Sequence, residues 1–379
     1  MKQIQVCTLA AAALALLACG KTPNTPVEPG KDINSVEIEN ESVPVPIELG
    51  SGTATKAAMI DAGNFATTKF GVLAIDVDPN APVTNKVLLN GVEAGNTVPA
   101  GKTYSVTNFT HGPYYYPLIS KNNYTFFGYR TNEDGTYTLN DDYAVTDIAL
   151  GYSDIIWAKA EATTLPDPYA SLSGFNAKYI RAIKAIAGTG DYLAGNYAPK
   201  LHFNHLTSAL SFNIKAADAA AENSLHNKAT LTGISLVNVK KTANLAVLTG
   251  ALSTTAEADE LAVKTAAGET PAAAAFVAAG AVFGAPLFIL PSAVDNPYAN
   301  DGDGYSVVLS LMVNGQPMVL DPIKLTEPNN GDNVNPDYGF KAGKAYKFTI
   351  SINSLEEIVI VTELEPWENV EIADPIVIE

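Results

Sequence analysis

The chain has 379 residues, 47% of them hydrophobic, and its 40 acidic against 23 basic side chains give a formal net charge of -17. That length allows two domains of ordinary size with real cores. The acidic balance opposes phosphate backbones and excludes nucleic acid as a partner, and its scattered distribution reads as a solvated surface.

At the N-terminus, Lys2 is followed by an apolar stretch from Val6 to Ala18, about 13 residues and too short to span a bilayer. It ends in Leu16-Leu17-Ala18-Cys19-Gly20, which fits a bacterial lipobox. Residues 1–18 are therefore expected to be a signal peptide and Cys19 the lipid acceptor. Cys7 leaves with the signal peptide, so the processed protein is expected to form no disulfide and to meet a membrane only through the lipid on Cys19. Residues 21–30 contain three prolines and no apolar periodicity, the composition of an extended tether.

Val43-Pro44-Val45-Pro46-Ile47-Glu48-Leu49 is aliphatic at every odd position and proline or charged at every even one, a one-sided strand. Pro44 and Pro46 remove two N–H donors from one side, so the strand suits a sheet edge. Short β-rich runs recur at Phe70 to Val77, Lys86 to Leu89, Tyr104 to Asn108, Tyr124 to Tyr129, Thr136 to Leu139 and Asp154 to Ala160. Such spacing predicts a sandwich. Between Gly174 and Gly188, Phe175, Tyr179, Ile183 and Ile186 recur at helical spacing. Gly- and Pro-containing residues 190–199 suggest a boundary. A second series then runs through Leu201 to Ile214, Leu231 to Val239, Leu287 to Leu290, Tyr305 to Val313, Pro317 to Leu325, Ala345 to Ile352 and Ile358 to Leu364. The alanine-rich Thr254 to Val282 is expected to be partly helical, interrupted at Gly268, Pro271 and Gly280. After Pro366-Trp367, residues 370–378 place Val370, Ile372, Ile376 and Ile378 on one face of an extended strand, broken only by Asp374. Chain ends are usually polar and frayed, so this one calls for a partner to cover it.

Motifs of chemistry are weak. Gly95 to Lys102 has one residue too many for a phosphate loop and runs into a strand instead of a helix, so it reads as a turn. His202 and His205, three apart on a strand, face opposite ways and read as structural. Asp301-Gly302-Asp303-Gly304 lacks the other ligands of a calcium loop. Tyr114-Tyr115-Tyr116 packs its own loop or offers sugars a stacking platform. No nucleophile elbow or metal cluster is visible, so neither enzyme activity nor a metal or cofactor is expected.

The lipobox is followed by Tyr124-Thr125-Phe126-Phe127-Gly128-Tyr129, Ser153-Asp154-Ile155-Ile156-Trp157-Ala158-Lys159-Ala160, and Phe203-Asn204-His205 running into Leu210-Ser211-Phe212-Asn213-Ile214. The series closes with Gly339-Phe340-Lys341-Ala342-Gly343-Lys344-Ala345-Tyr346 and Trp367. In this order the pieces, over nearly the whole chain, resemble the fimbrillins, the major fimbrial subunits (type V pilins) of Bacteroides-group lipoproteins. The resemblance implies an all-β fold of two transthyretin-like Greek-key β-sandwich domains with minor helical insertions. The expected divisions are a signal peptide (1–18), a lipidated propeptide with tether and removable first strand (19–56), β-sandwiches at 57–195 and 196–365, and a C-terminal donor strand (366–379). It further implies a stalk pilin, contributing to adhesion, in which a protease removes the first strand and a neighbour's strand takes its place. Val43, Val45, Ile47 and Leu49 would be the removable strand, Lys56-Ala57 the cut, and Val370, Ile372, Ile376 and Ile378 the donor. Family members often carry arginine at the cut, whereas the arginines here are Arg130 and Arg181. Partners implied are neighbouring pilins in a homopolymer, anchor and tip subunits, the processing protease and a host or bacterial surface receptor. The location implied is the outer membrane as precursor and then an extracellular fimbrium. The alternatives are a pilus anchor or tip subunit, or a monomeric surface glycan-binding lipoprotein using Tyr114 to Tyr116.

Overall fold

The computed structural model describes residues 43–53, 68–100, 105–118, 121–132, 137–291, 304–325, 339–354 and 357–365. Cys19, Lys56, Ala57, Asp301 to Asp303, Val370, Ile372, Ile376 and Ile378 lie outside them. The fold is all-β, as expected, with short helical insertions.

The first unit contains β1 (Val45–Pro46), β2 (Gly50–Thr53), β3 (Lys69–Ile75), β4 (Val87–Thr97), β5 (Ser105–Phe109), β6 (Tyr115–Tyr116), β7 (Thr125–Arg130), β8 (Ala144–Ala149), β9 (Ile156–Ala160), helix α1 (Ala177–Ala187) and β10 (Lys200–His205). Strands β10, β2, β5, β4, β3, β7 and β9 pair in that order, and β9 pairs with β10, so the sheet closes on itself as a barrel. β4 is longer than the run expected at Lys86 to Leu89. Gly95 and Asn96, read as part of a turn, instead pair within the sheet with Asn108 and Thr107. Thr136 to Leu139 is expected as a strand, but the described residues 137–139 form none, while β8, with one buried residue in six, shows no apolar alternation and β6 has only two residues.

Asn176 caps α1 by accepting the Tyr179 N–H at 2.9 Å, and the helix ends at Gly188, whose φ of 60 favours glycine. Its buried face is Ala177, Tyr179, Ile180, Ala182 and Ile183. Phe175 instead forms a β-bridge with Tyr124, and Ile186 is exposed. This face packs into the barrel core with Val45, Ile47, Leu49, Phe70, Phe126 and Phe203.

The second unit comprises β11 (Ser208–Ala216), α2 (Ala219–Leu225), β12 (Ala229–Lys240), β13 (Thr242–Ala246), β14 (Ala251–Ser253), β15 (Ala258–Ala262), β16 (Ala274–Ala275), β17 (Ala281–Val282), β18 (Leu287–Ile289), β19 (Ser306–Val313), β20 (Gln316–Val319), β21 (Ile323–Lys324), β22 (Ala345–Ser354) and β23 (Glu357–Glu365). One sheet runs β17-β11-β22-β23 with β18 beside β11, the other β15-β12-β19-β20 with β16 and β21 as further short partners. Their inner faces meet in one core that includes Phe212, Ile214, Leu231, Leu309, Phe348 and Ile350. Helix was expected within Thr254 to Val282. The segment forms short strands and turns there, with Gly268 and Gly280 at positive φ.

The run Leu201 to Ile214, expected to open the second domain at residue 196, divides. β10 completes the barrel, and only β11 enters the second unit. The crossing lies at Leu206-Thr207, where buried Asp154 holds His205 Nδ1 through one carboxylate oxygen and the Thr207 hydroxyl, at 2.7 Å, through the other. His202, by contrast, is exposed, so the two histidines do face opposite ways. The glycines and proline of residues 190–199 punctuate the loop after α1 and not the domain edge.

The units are joined further by the β13–β14 hairpin, which reaches back to pair with β8. Leu245 and Val247 pack there with Leu73, Ile75 and Phe127, while Trp157 Nε1 donates to the Val247 carbonyl at 2.7 Å. β3 is consequently buried on both faces, toward the barrel and toward the hairpin, which accounts for its near-continuous apolar run.

Candidate functional site: the slot closed by the first strand

Residues 43–53 are the segment on which barrel closure depends. Val45 and Pro46 pair on one side only, with Tyr116 and Tyr115, because proline at alternate positions cannot donate to a second neighbour. Past Pro46 the backbone is unrestricted, and the segment moves from an edge to the middle of a sheet. The Ile47 N–H donates to the Tyr114 carbonyl at 2.8 Å, and the Leu49 carbonyl accepts from the Thr107 N–H at 2.9 Å. β2 then lies antiparallel to β5 and parallel to β10, with Gly50 opposite Val106 and Lys200. The edge expectation, made for Val43 to Leu49, holds at Val45-Pro46, and the chain comes to lie between two strands at β2, beyond that run.

The odd-numbered side chains point inward. Val45, Ile47 and Leu49 are buried, whereas Val43 is 54% exposed and lies outside the row. At roughly 1.5–3 kcal/mol for each buried aliphatic side chain, the three contribute roughly 5–9 kcal/mol of gross burial. Without this segment, β5 and β10 would face each other across an open slot, their ladder groups unpaired above an apolar interior.

The even-numbered side chains and the backbone are held from α1 and the turn after it. Arg181 Nη2 donates to the Val43 carbonyl at 2.9 Å. Glu48 receives Lys184 Nζ at 3.1 Å and the Tyr192 hydroxyl at 2.8 Å, and Lys184 Nζ sits 4.7 Å from the centre of the Tyr192 ring. Burial, reinforced by the Glu48 carboxylate, pushes the Tyr192 phenol well above its ordinary pKa, so it stays protonated and donating. The Lys184–Glu48 pair is about two-fifths exposed at each end and is worth little in stability by itself. Its value is positional. Sequence reading singled out the strand but missed this clamp; the available signal was Arg181 and Lys184 three apart on a helix, the spacing that places both on one face.

Tyr114 to Tyr116 form the wall of the slot. Tyr116 is buried beside Val45 and meets Phe126 edge-on at 6.2 Å, Tyr114 packs against Phe109 at 5.3 Å, and Tyr115 alone is exposed. Burial also holds the Tyr116 phenol well above its ordinary pKa. Among the described residues, no group of His, Cys, Asp and Glu is arranged to hold a metal, and no helix is long and apolar enough to cross a membrane.

A model of the fimbrillin-like family matches residues 55–367. The chain belongs to the fimbrillin-like family. This family membership supports the role of a cell-surface fimbrial subunit that associates with other fimbrial subunits. No curated protein matches it in sequence. Among solved structures, one described as a "putative cell adhesion protein" of Bacteroides uniformis is 19% identical, with 86% of this chain and 98% of that chain covered and a TM-score of 0.48. The tip fimbrial protein Mfa3 of Porphyromonas gingivalis, with C-terminal truncation, is 10% identical, with 86% and 100% covered and a TM-score of 0.39. A fimbrial assembly protein of Parabacteroides distasonis is 11% identical, with 85% and 96% covered and a TM-score of 0.39.

Proposed function

We propose that this chain is a stalk pilin whose precursor is anchored by lipid on Cys19 in the outer membrane and whose subunits polymerise, after proteolysis at Lys56-Ala57, by exchanging the first strand for a neighbour's C-terminal strand. The observation that carries the reading is the placement of residues 43–53. They seal the barrel between β5 and β10 with three buried aliphatics, yet they come from the N-terminal end of the described chain, where one cut before Thr68 severs their chain connection to every later described strand. Lys56-Ala57 lies within that connection, and the family match begins at residue 55, beyond the strand.

The replacing strand is the segment carrying Val370, Ile372, Ile376 and Ile378, which alternates as Val45, Ile47 and Leu49 do and follows the end of the family match at Trp367. Pairing along both edges of the slot would supply main-chain hydrogen bonds, and the side chains would supply burial. Keeping the first strand in place until assembly protects an edge that would otherwise misassociate. A subunit with both a removable and a donor strand both accepts and donates. That favours a stalk over an anchor, which only donates, or a tip, which only accepts; the homopolymer would end in such anchor and tip subunits and present the fimbrium to a surface receptor.

The test is to treat purified precursor with a lysine-specific protease and follow it on native gels beside a chain ending at Trp367. Ladders are expected from the trimmed full-length protein alone. If the trimmed protein stays monomeric, or if the truncated chain polymerises equally well, donor-strand exchange is wrong for this protein. Sequencing the N-terminus of protein on cells separates the stalk, starting at Ala57, from an anchor or lone lipoprotein retaining acylated Cys19.

A further inference from the structure

The inward row of the first strand contains one polar residue. After Val45, Ile47 and Leu49 comes Ser51, 6% exposed, whose hydroxyl donates to Asn96 Oδ1. Asn96 is the cross-strand partner of Thr107, and Thr107 lies beside Leu49 in the ladder between β5 and the first strand. Three buried polar side chains thus gather at one point of an otherwise apolar barrel. Thr107 is 4% exposed, and its hydroxyl has no hydrogen-bond partner among the described residues. A buried hydroxyl left unpaired is costly, and this one has a proton to give. The Asn96 amide carries an oxygen and two N–H donors on one rotatable group, so it can turn either edge to what lies above it.

The slot therefore makes a distinct demand at each of five successive positions. The side chains at Ile47 and Leu49 must be apolar. At Glu48 the clamp of Lys184 and Tyr192 receives a carboxylate. Gly50 leaves little room, because a Cβ there would come within 3.1 Å of Lys200 Cγ, the stem of a flexible side chain that can give way for a methyl group. At Ser51 the node takes a polar group, and an acceptor would meet the Thr107 proton.

Val370-Glu371-Ile372-Ala373-Asp374 meets those five demands in order: apolar, acidic, apolar, small and polar. Resting on the donor-strand reading above, we infer that the C-terminal segment of a second copy enters the slot in one register, with Val370 in the place of Ile47 and Asp374 in the place of Ser51, its carboxylate accepting from Thr107 and Asn96. Asp374, the residue that breaks the apolar face of the C-terminal strand, is the register pin. The fit is confined to the places of Ile47 to Ser51, since Glu368 would fall in the place of buried Val45, and within that span every other two-residue step is penalised. Moving Asp374 back to the place of Leu49 or of Ile47 buries a carboxylate against apolar walls, and moving it back to Val45 puts Val377 at the clamp of Lys184 and Tyr192 and Glu379 in the place of Gly50. Moving it forward puts Ile372 on the polar node and leaves Thr107 unpaired. A single polar pin in an apolar seam is a familiar way to fix register at the expense of some stability.

Cysteine pairs in polymers of the full chain read the register directly. Gly50 faces Val106 but gives its N–H to Pro199, so this is a closely spaced pair without a hydrogen bond between its members, suited to a disulfide. V106C combined with A373C is expected to give covalent ladders on oxidation, while V106C with P375C, V377C or E379C, which report the three backward registers, gives at least about tenfold less. Ladders from P375C, V377C or E379C instead, or from none of the pairs in polymers that do form, overturn the assigned register. Independently, D374S should polymerise like wild type and D374L should lose roughly tenfold or more, the factor that an unpaired buried group of about 1.4 kcal/mol carries. Equal polymerisation of D374L also sinks the pin. Wild type that forms no polymer, or a chain ending at Trp367 that polymerises alike, would mark the donor-strand reading as the failure, and the register falls with it.

Discussion

The two β units are sealed differently. In the second, the central strands β12, β19 and β22 are each flanked in the chain by other strands of the same unit, and β11 lies between them and β10 of the first, so none can leave without unravelling its neighbours. In the first, β2 closes the barrel from the near end of the chain, and its pairing with β10 is the one parallel pairing of that barrel. On the proposed reading, a fold can be complete and still hold one strand as a removable part, because that strand comes first among the barrel strands and its burial is confined to one face. The clamp from α1 adds to the apolar packing of that helix's buried face a grip through a backbone carbonyl and a half-exposed carboxylate.

The largest effects should come from contrasting the two cores. Phe348→Ala, at a ring stacked 5.7 Å from Phe212 in the second unit, is expected to cost about 3–5 kcal/mol in denaturant unfolding, and Leu49→Ala about 2–5 kcal/mol. The sharper readout is hydrogen exchange. Leu49→Ala should expose amides of β5 and β10 while β11 and β22 keep their protection; equal loss in both units would mean that they open together and would end the distinction. Trp157→Phe removes the hydrogen bond to Val247 across the hairpin and should cost about 1 kcal/mol, shared by both units, if the hairpin couples them. The smallest change in stability belongs to Lys184→Ala, under about 1 kcal/mol and weaker in high salt. Its effect should appear instead as faster loss of the first strand once the chain is cut, measured by the strand fragment released on gel filtration; an unchanged release rate would leave α1 with no role in retention.

Much of the architecture was legible because alternation is a local signal. The inward row Val45, Ile47, Leu49 is visible in seven residues, and β9, β12, β19 and β22 fall close to where period-two patterning places them. Misreadings arose where tertiary context overrode the pattern. Leu201 to Ile214 reads as one run because nothing in its composition marks the crossing at Leu206-Thr207; the buried Asp154, 51 residues from its partner His205, makes the turn there. Ile186 continues the helical spacing but lies past the end of the barrel interior that α1 covers. Alanine in residues 254–282 suggested helix, whereas pairing with β12 and β11 drew the same residues into short strands. The slot's polar features were invisible for the same reason. Ser51, Asn96 and Thr107 are unremarkable singly and meet only because β2, β4 and β5 are adjacent.

What the sequence determined alone is the inventory: a strand-rich chain, an aliphatic row at Val45 to Leu49, a matching row from Val370 with Asp374 out of place, and enough residues for two cores. These are properties of nearest neighbours along the chain, set by side-chain chemistry and the two-residue period of a strand. Only the tertiary structure decided that residues 43–53 complete a barrel, that α1 grips them through Arg181, Lys184 and Tyr192, and that a buried hydroxyl on Thr107 waits beside Ser51. Those depend on contacts between residues tens to more than a hundred positions apart, and no local pattern encodes which distant strand a given strand will pair with.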